Sequence, residues 1–191
     1  MPRLALYTFA VLKSPLSDPG ELTAEFYEVG DTVYQAFSEH PGYLGHAAPS
    51  GDERGLLFGA DWGPWGEFTV PAWYGKGRTA QTTALAATLS LWTGVPHAFD
   101  AAYTGIHRTA LNRRYDWFER SGYANHACWW VPDGVTPTWQ DAVSKLEHLH
   151  AHGPAPHAFS LHRPFTPEGT PAGDKGVGPE GARRHPVGDD R

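Results

Sequence analysis

Residues 4–12 alternate, with Leu4, Leu6, Thr8, Ala10 and Leu12 on one face and Ala5, Tyr7, Phe9 and Val11 on the other. A run that is apolar on both faces and followed by Ser14-Pro15 predicts a well-buried strand. Ser17-Asp18-Pro19-Gly20 reads as a turn, after which Phe26, Val29, Val33 and Phe37 recur at helical spacing over residues 21–40 until Pro41-Gly42 stops the run. Residues 47–80 are loop-like and rich in glycine, carry Trp62, Trp65, Trp73 and Tyr74, and leave room for a short strand over 68–74. Aromatics on such a loop either line a ligand site or cap a core. Alternation returns at residues 83–92, where Leu85, Ala87, Leu89 and Leu91 share a face. Thr93-Gly94-Val95-Pro96 opens what the spacing predicts as one long helix to about residue 119, with proline in its favoured first turn. A third clear strand over 123–131 is closed by Pro132-Asp133-Gly134. Thr138 and Asp141 form a capping box for a helix through residue 152, Gly153-Pro154 ends it, and residues 158–165 read as a closing strand.

This order predicts an α+β fold of ferredoxin type, an antiparallel sheet covered by helices on one face. The other face is left apolar, which invites a second copy, so a homodimer is expected. The folded domain spans residues 1–165. Residues 166–191 are rich in Gly and Pro, hold no aromatic residue, Leu or Ile, and read as a disordered tail.

Composition narrows the class. The chain has 191 residues, of which 40% are hydrophobic and 13% aromatic, enough for a packed core of one domain. The formal charge of −6, without a cluster of Lys and Arg, argues against nucleic acid as a partner. No apolar run reaches ~18 residues and no secretion signal opens the chain, so no membrane partner is expected and the cytoplasm is the expected compartment. The lone Cys128 excludes an internal disulfide and a multi-cysteine zinc site.

Candidate chemistry concentrates on the long predicted helix. Phe99, Tyr103, Ile106, Ala110, Arg113 and Trp117 share one stripe, and His107, Leu111, Arg114 and Phe118 the next. One reading is a pocket with a titratable imidazole and one or two cations for an anionic or carbonyl-bearing ligand. The other pairs Arg113 and Arg114 with Asp100, Asp116 or Glu119 at the surface, while His107 binds a backbone carbonyl. On the strand at 123–131, Asn125 falls with Tyr123 and Trp129, and His126 with Cys128 and Trp130. A nucleophilic Cys128 beside His126 competes with a plain buried thiol, and the thiol is the better reading. His148 and His152 have the i, i+4 spacing of metal ligands, but no HExxH frame surrounds them, so no metal site is expected. Gly75-Lys76-Gly77-Arg78-Thr79 lacks the frame of a phosphate loop, and no GxSxG elbow occurs.

Ser90-Leu-Trp92, Tyr103-x-x-x-His107, Arg113-Arg-Tyr-Asp-Trp117-Phe, Trp129-Trp-Val-Pro-Asp-Gly134 and Gly153-Pro-Ala-Pro-His-Ala-Phe159 form a set. With it the chain resembles the bacterial domain-of-unknown-function 3291 family of the dimeric α+β barrel superfamily, and is distantly similar to spheroidene monooxygenase. The resemblance implies a dimer with packed sheets and a ligand cavity between sheet and helices. Superfamily members include cofactor-free monooxygenases, cyclases and haem proteins. The segment from Gly59 to Tyr74 is longer and more aromatic than that family leads one to expect. The combined expectation is a small-molecule enzyme of specialised metabolism acting on an apolar or aromatic substrate, as a monooxygenase or a cyclase/isomerase. His107 would be the acid/base and Arg113 or Arg114 the cation, while Trp73, Trp92, Tyr103, Trp117, Asn125 and Trp129 would contact substrate. No cofactor is expected. The alternatives are a haem protein with His107 as axial ligand and a binding protein without catalysis.

Overall fold

In a computed structural model, described over residues 1–15, 20–50, 57–75, 78 and 84–173, the first strand forms where its alternation demands. β1 (Arg3–Val11) buries Leu4 and Leu6 on one face and Ala5, Tyr7 and Phe9 on the other. An element apolar on both sides needs cover on both sides, and β1 lies inside the sheet. β2 (Tyr43–His46), β3 (Leu85–Trp92) and β4 (His126–Val131) complete an antiparallel sheet in the order β2-β3-β1-β4. Leu4 stands opposite both Trp92 and Trp130. With helices between β1 and β2 and between β3 and β4, this is an α+β arrangement consistent with the ferredoxin-like split β-α-β order.

One face carries α1 (Gly20–Ser38) and the helices after β3. Phe26 and Val29 of α1 pack near Leu12 and Trp117, while Phe37 joins Trp92. The single helix expected from residue 96 to 119 is three pieces: α2 (Val95–Tyr103), α3 (Gly105–Asn112) and α4 (Arg114–Trp117). Thr104 is extended at φ −122°, ψ 177°, and Gly105 follows at φ +53°, a left-handed backbone that glycine tolerates and that ends a helix. The stripes drawn along one continuous helix therefore do not survive past residue 104.

The second face, expected to await another copy, is covered by the same chain. α5 (Trp139–His152) lays Trp139, Ala142, Val143 and Leu146 on Ala5, Tyr7 and Leu89. Its capping box forms as read: Thr138 Oγ1 accepts the Asp141 N–H at 3.1 Å, and the Thr138 N–H donates to Asp141 Oδ2 at 3.0 Å. Residues 57–75 complete the cover with Trp62, Phe68 and Tyr74, all buried. They hold two short 3-10 turns, Gly63–Trp65 and Ala72–Gly75, and no strand over 68–74. Pro71 lacks the N–H a ladder needs.

The closing strand at 158–165 reduces to one rung on β4, in which Phe159 and Cys128 exchange backbone bonds at 2.7 and 2.9 Å, the rest being turns closed by isolated bridges of their own. The expected tail begins in order: the Thr166 N–H reaches the Thr170 carbonyl at 2.8 Å, and the Ala172 N–H reaches that of Pro164 at 2.9 Å. The turn at 17–19, the glycine-lysine segment at 76–77, the first residue of the 83–92 strand and the tail beyond residue 173 lie outside the described residues. No helix among the described residues is long and apolar enough to cross a membrane.

Candidate functional site

Where α1 ends, β2 starts and β3 gives way to α2, rings gather around one tryptophan. Trp92 is fully buried and its indole N–H donates to Ser90 Oγ at 2.9 Å. Phe37, His40 and Tyr43 meet it edge-on, with centroids 5.6, 5.6 and 5.4 Å away. Phe37 also meets His107 at 5.1 Å, which links the predicted acid/base to this cluster.

The helix break at Thr104 sets the orientation of His107. Restarting the helix at Gly105 brings its Nδ1 within 2.6 Å of the Ala102 carbonyl. A carbonyl only accepts, so Nδ1 carries the proton and Nε2 keeps its lone pair. Burial pushes the imidazole below its ordinary range, and the bond to Ala102 opposes this in part. The ring is neutral at pH 7 in one tautomer, with no hydrogen-bond partner for Nε2 among the described residues. That is the state a general base or a metal-binding imidazole requires.

The partners predicted for His107 divide. Arg113 is a surface latch: it grips Glu25 with two bonds of 2.7 and 2.8 Å and Asp116 at 3.1 Å, and stacks over Trp117 at 5.1 Å. Arg114 bonds the Leu111 carbonyl at 2.7 Å and lies over the Tyr115 ring, and its charge acts on Tyr103. Tyr103 sits half-buried against Phe99 at 4.6 Å and His162 at 4.9 Å, with burial pushing its hydroxyl up. His107, Trp92, Tyr103 and Arg114 thus belong to one side of the sheet.

The remaining predicted contacts go elsewhere. Trp117 is buried with Phe26 and Phe118. Trp129 points to the opposite face, into the α5 layer. Trp73 stacks on Tyr123 at 4.8 Å beside His150, on that same far side. Asn125 is exposed, and its Oδ1 accepts from His126 Nδ1 at 2.8 Å. His126 Nε2 in turn accepts the Leu161 N–H at 3.4 Å. Cys128 is fully buried with its thiol pushed up by desolvation, which removes it as a nucleophile. His148, His152 and His157 are ring neighbours at 4.9 and 4.2 Å, yet no three donors among the described residues are placed to hold a metal ion.

Sequence reasoning missed His40 and His97, and offered Asp100 only as a surface partner of Arg113 or Arg114, whereas its partner is His40. His40 Nδ1 accepts the Gly42 N–H at 3.1 Å, and Nε2 faces Asp100 Oδ2 at 3.3 Å. His97 lies 5.5 Å from His40, so close to Gly42 that an added Cβ there would stand 2.2 Å from the His97 Cβ. Pro41-Gly42 read only as a helix stop. The signal was the histidine before it and the glycine's need for space.

A search of family models places residues 3–175 in one family, described as a domain of unknown function (DUF3291). The chain belongs to the DUF3291 family. No curated protein and no solved structure matches it significantly. Membership in DUF3291 covers the whole described fold, including α5 and the turn after Phe165. The family description carries no activity, so for this DUF3291 chain the chemistry rests on its own geometry.

Proposed function

We propose that this chain is a small-molecule enzyme working by proton transfer on an apolar or aromatic carbonyl compound, of cyclase or isomerase type, in the cytoplasm. The observation that carries the reading is His107: a half-buried, neutral imidazole whose tautomer is fixed by the Ala102 carbonyl. Nε2 takes a proton from carbon next to the substrate carbonyl, the carbon–hydrogen electron pair becomes an enolate, and the imidazolium returns the proton at another carbon. Arg114 supports the developing negative charge, and Phe37, Trp92 and Tyr103 supply the apolar wall.

Haem is the competing assignment for His107, whose free Nε2 has the tautomer of an axial ligand. The surroundings do not fit a macrocycle. Neither of the two clefts, of about 360 and 470 Å³, is lined by His107, and Phe37, itself backed by buried Trp92, packs edge-on against the imidazole at 5.1 Å.

Exchange of the acidic protons of ethyl acetoacetate and phenylacetone in deuterated buffer, followed by NMR, tests the reading. The full chain should accelerate exchange over buffer, and His107→Gln should lose roughly 10²–10⁴-fold of that acceleration while melting within a few degrees of the parent. Binding without exchange would make the chain a carrier. Equal exchange by the variant would remove His107 as the base.

A further inference from the structure

Two polar atoms in the α5 layer have no hydrogen-bond partner among the described residues: the Tyr7 hydroxyl and the Trp139 indole N–H. Both side chains are sealed, at 0% and 1% exposure, and their rings meet edge-on at 6.2 Å. Polar atoms nearby in the same layer are paired: Trp62 Nε1 donates to the Leu57 carbonyl, and the Tyr74 hydroxyl accepts the Ala84 N–H, each at 3.0 Å. Buried donors are nearly always partnered, because leaving one unmade costs its whole desolvation. Two exceptions on neighbouring rings leave both donors open to an acceptor from outside the chain.

Its chemistry follows from the walls. An indole N–H only donates, and burial together with the Glu147 carboxylate keeps the Tyr7 hydroxyl protonated, so both groups call for an oxygen acceptor. Glu147 is fixed by accepting the Ala72 N–H at 2.7 Å, and its charge disfavours a second anion, so the acceptor is neutral. Phe9, Trp62, Phe68 and Tyr74 surround the pair with aromatic surface suited to a flat body. A cleft of about 360 Å³, within the size of small-ligand pockets, is lined by Phe68, Thr138 and Gln140. Phe68 packs on Trp139 at 4.9 Å, so this one ring borders both the cleft and the unpaired indole.

We propose that the α5 layer is a binding site for a small neutral aromatic carbonyl compound, its oxygen accepting from Tyr7 and Trp139 once Phe68 turns aside. The site lies on the opposite face of the sheet from His107 and does not depend on the reading of that residue.

Benzamide is the probe, with benzoate as its charged counterpart and toluene as the ring without an acceptor. Titrated into the full chain and followed by tryptophan fluorescence and melting temperature, benzamide should bind at least about tenfold more tightly than either. Tyr7→Phe should weaken benzamide about tenfold, leave toluene unchanged and keep or raise the melting temperature; Trp139→Phe checks the second donor. Equal affinity for benzamide in the parent and Tyr7→Phe overturns the proposal. So does equal binding of the three probes, or no detectable binding of benzamide.

Discussion

Truncating Leu146 to alanine tests whether the second sheet face is sealed within one chain. Leu146 is fully buried on α5, in the cluster that holds Ala5, Tyr7, Leu89 and Trp139. The substitution removes three carbons, about 2.4 kcal/mol at ~0.8 kcal/mol per buried carbon. The cavity left behind brings the expected loss to about 3–4 kcal/mol, inside the ~2–5 kcal/mol range for such changes. In a domain of this size each kcal/mol moves the melting temperature by about 2–4 °C, so Leu146→Ala should melt roughly 6–16 °C lower. Leu44→Ala, on a side chain 47% exposed, should stay within about 0.5 kcal/mol. Urea unfolding followed by circular dichroism, repeated over a hundredfold range of protein concentration, measures both. A loss under about 1 kcal/mol for Leu146→Ala would show that α5 is not the cover. A midpoint that falls on dilution would show that a second copy contributes to it.

Thr138→Ala should cost about 0.5–2 kcal/mol, because it removes the acceptor for the Asp141 N–H at the start of α5; an unchanged urea midpoint would deny the cap any role. Burial holds the His126 imidazole down to about 4, against an ordinary value near 6.5. Its neutral form therefore contributes fully above pH ~6.5, and that contribution is lost as pH falls toward 4; His126→Gln should flatten the acid limb of a stability–pH profile over that window, and an unaltered slope refutes the assignment. Cys128 should resist a thiol reagent such as dithionitrobenzoate in the folded chain and react on unfolding in urea; stoichiometric labelling of the native chain within minutes would contradict its burial.

Much of the fold was legible because β1 and β3 announce themselves by alternation, and because Thr138 with Asp141 and Gly153 bracket α5. Three features were not. The break at Thr104-Gly105 was hidden inside a run whose apolar spacing continues through it, so the positive φ of one glycine outweighed periodicity. β2 is only four residues long, with a register shift between Tyr43 and Gly45, too short for alternation to show. The cover on the second face depends on residues 57–75, whose sequence reads as loop and which bury their aromatics without regular structure. At the candidate site the same limits apply. Of the two readings open for Arg113, the surface pair is the one found, since Glu25 reaches it from a helix 88 residues earlier in the chain, a contact no local pattern reveals. His107 does bind a backbone carbonyl, as the plainer reading held, and that bond also fixes its tautomer. His40 and Asp100, 60 residues apart, meet only because β2 and β3 bring their helices together.

The central place of β1 has a consequence during synthesis. Its partners are complete only when Trp92 and Val131 have been made. At ~5–20 residues per second, the roughly 120 residues between Val11 and Val131 take about 6–24 seconds to emerge. Until Trp92 emerges this nine-residue segment, sticky on both sides, has no strand to pair with, and until Val131 emerges the edge that takes β4 stays open. Long-range pairing of this kind is also slow to form once the chain is complete. Yield in a living cell is then governed by whatever shields residues 3–11 while the remainder is translated. Substitutions that strengthen α5 or the 57–75 cover stabilise the finished protein and leave that exposure as long as before.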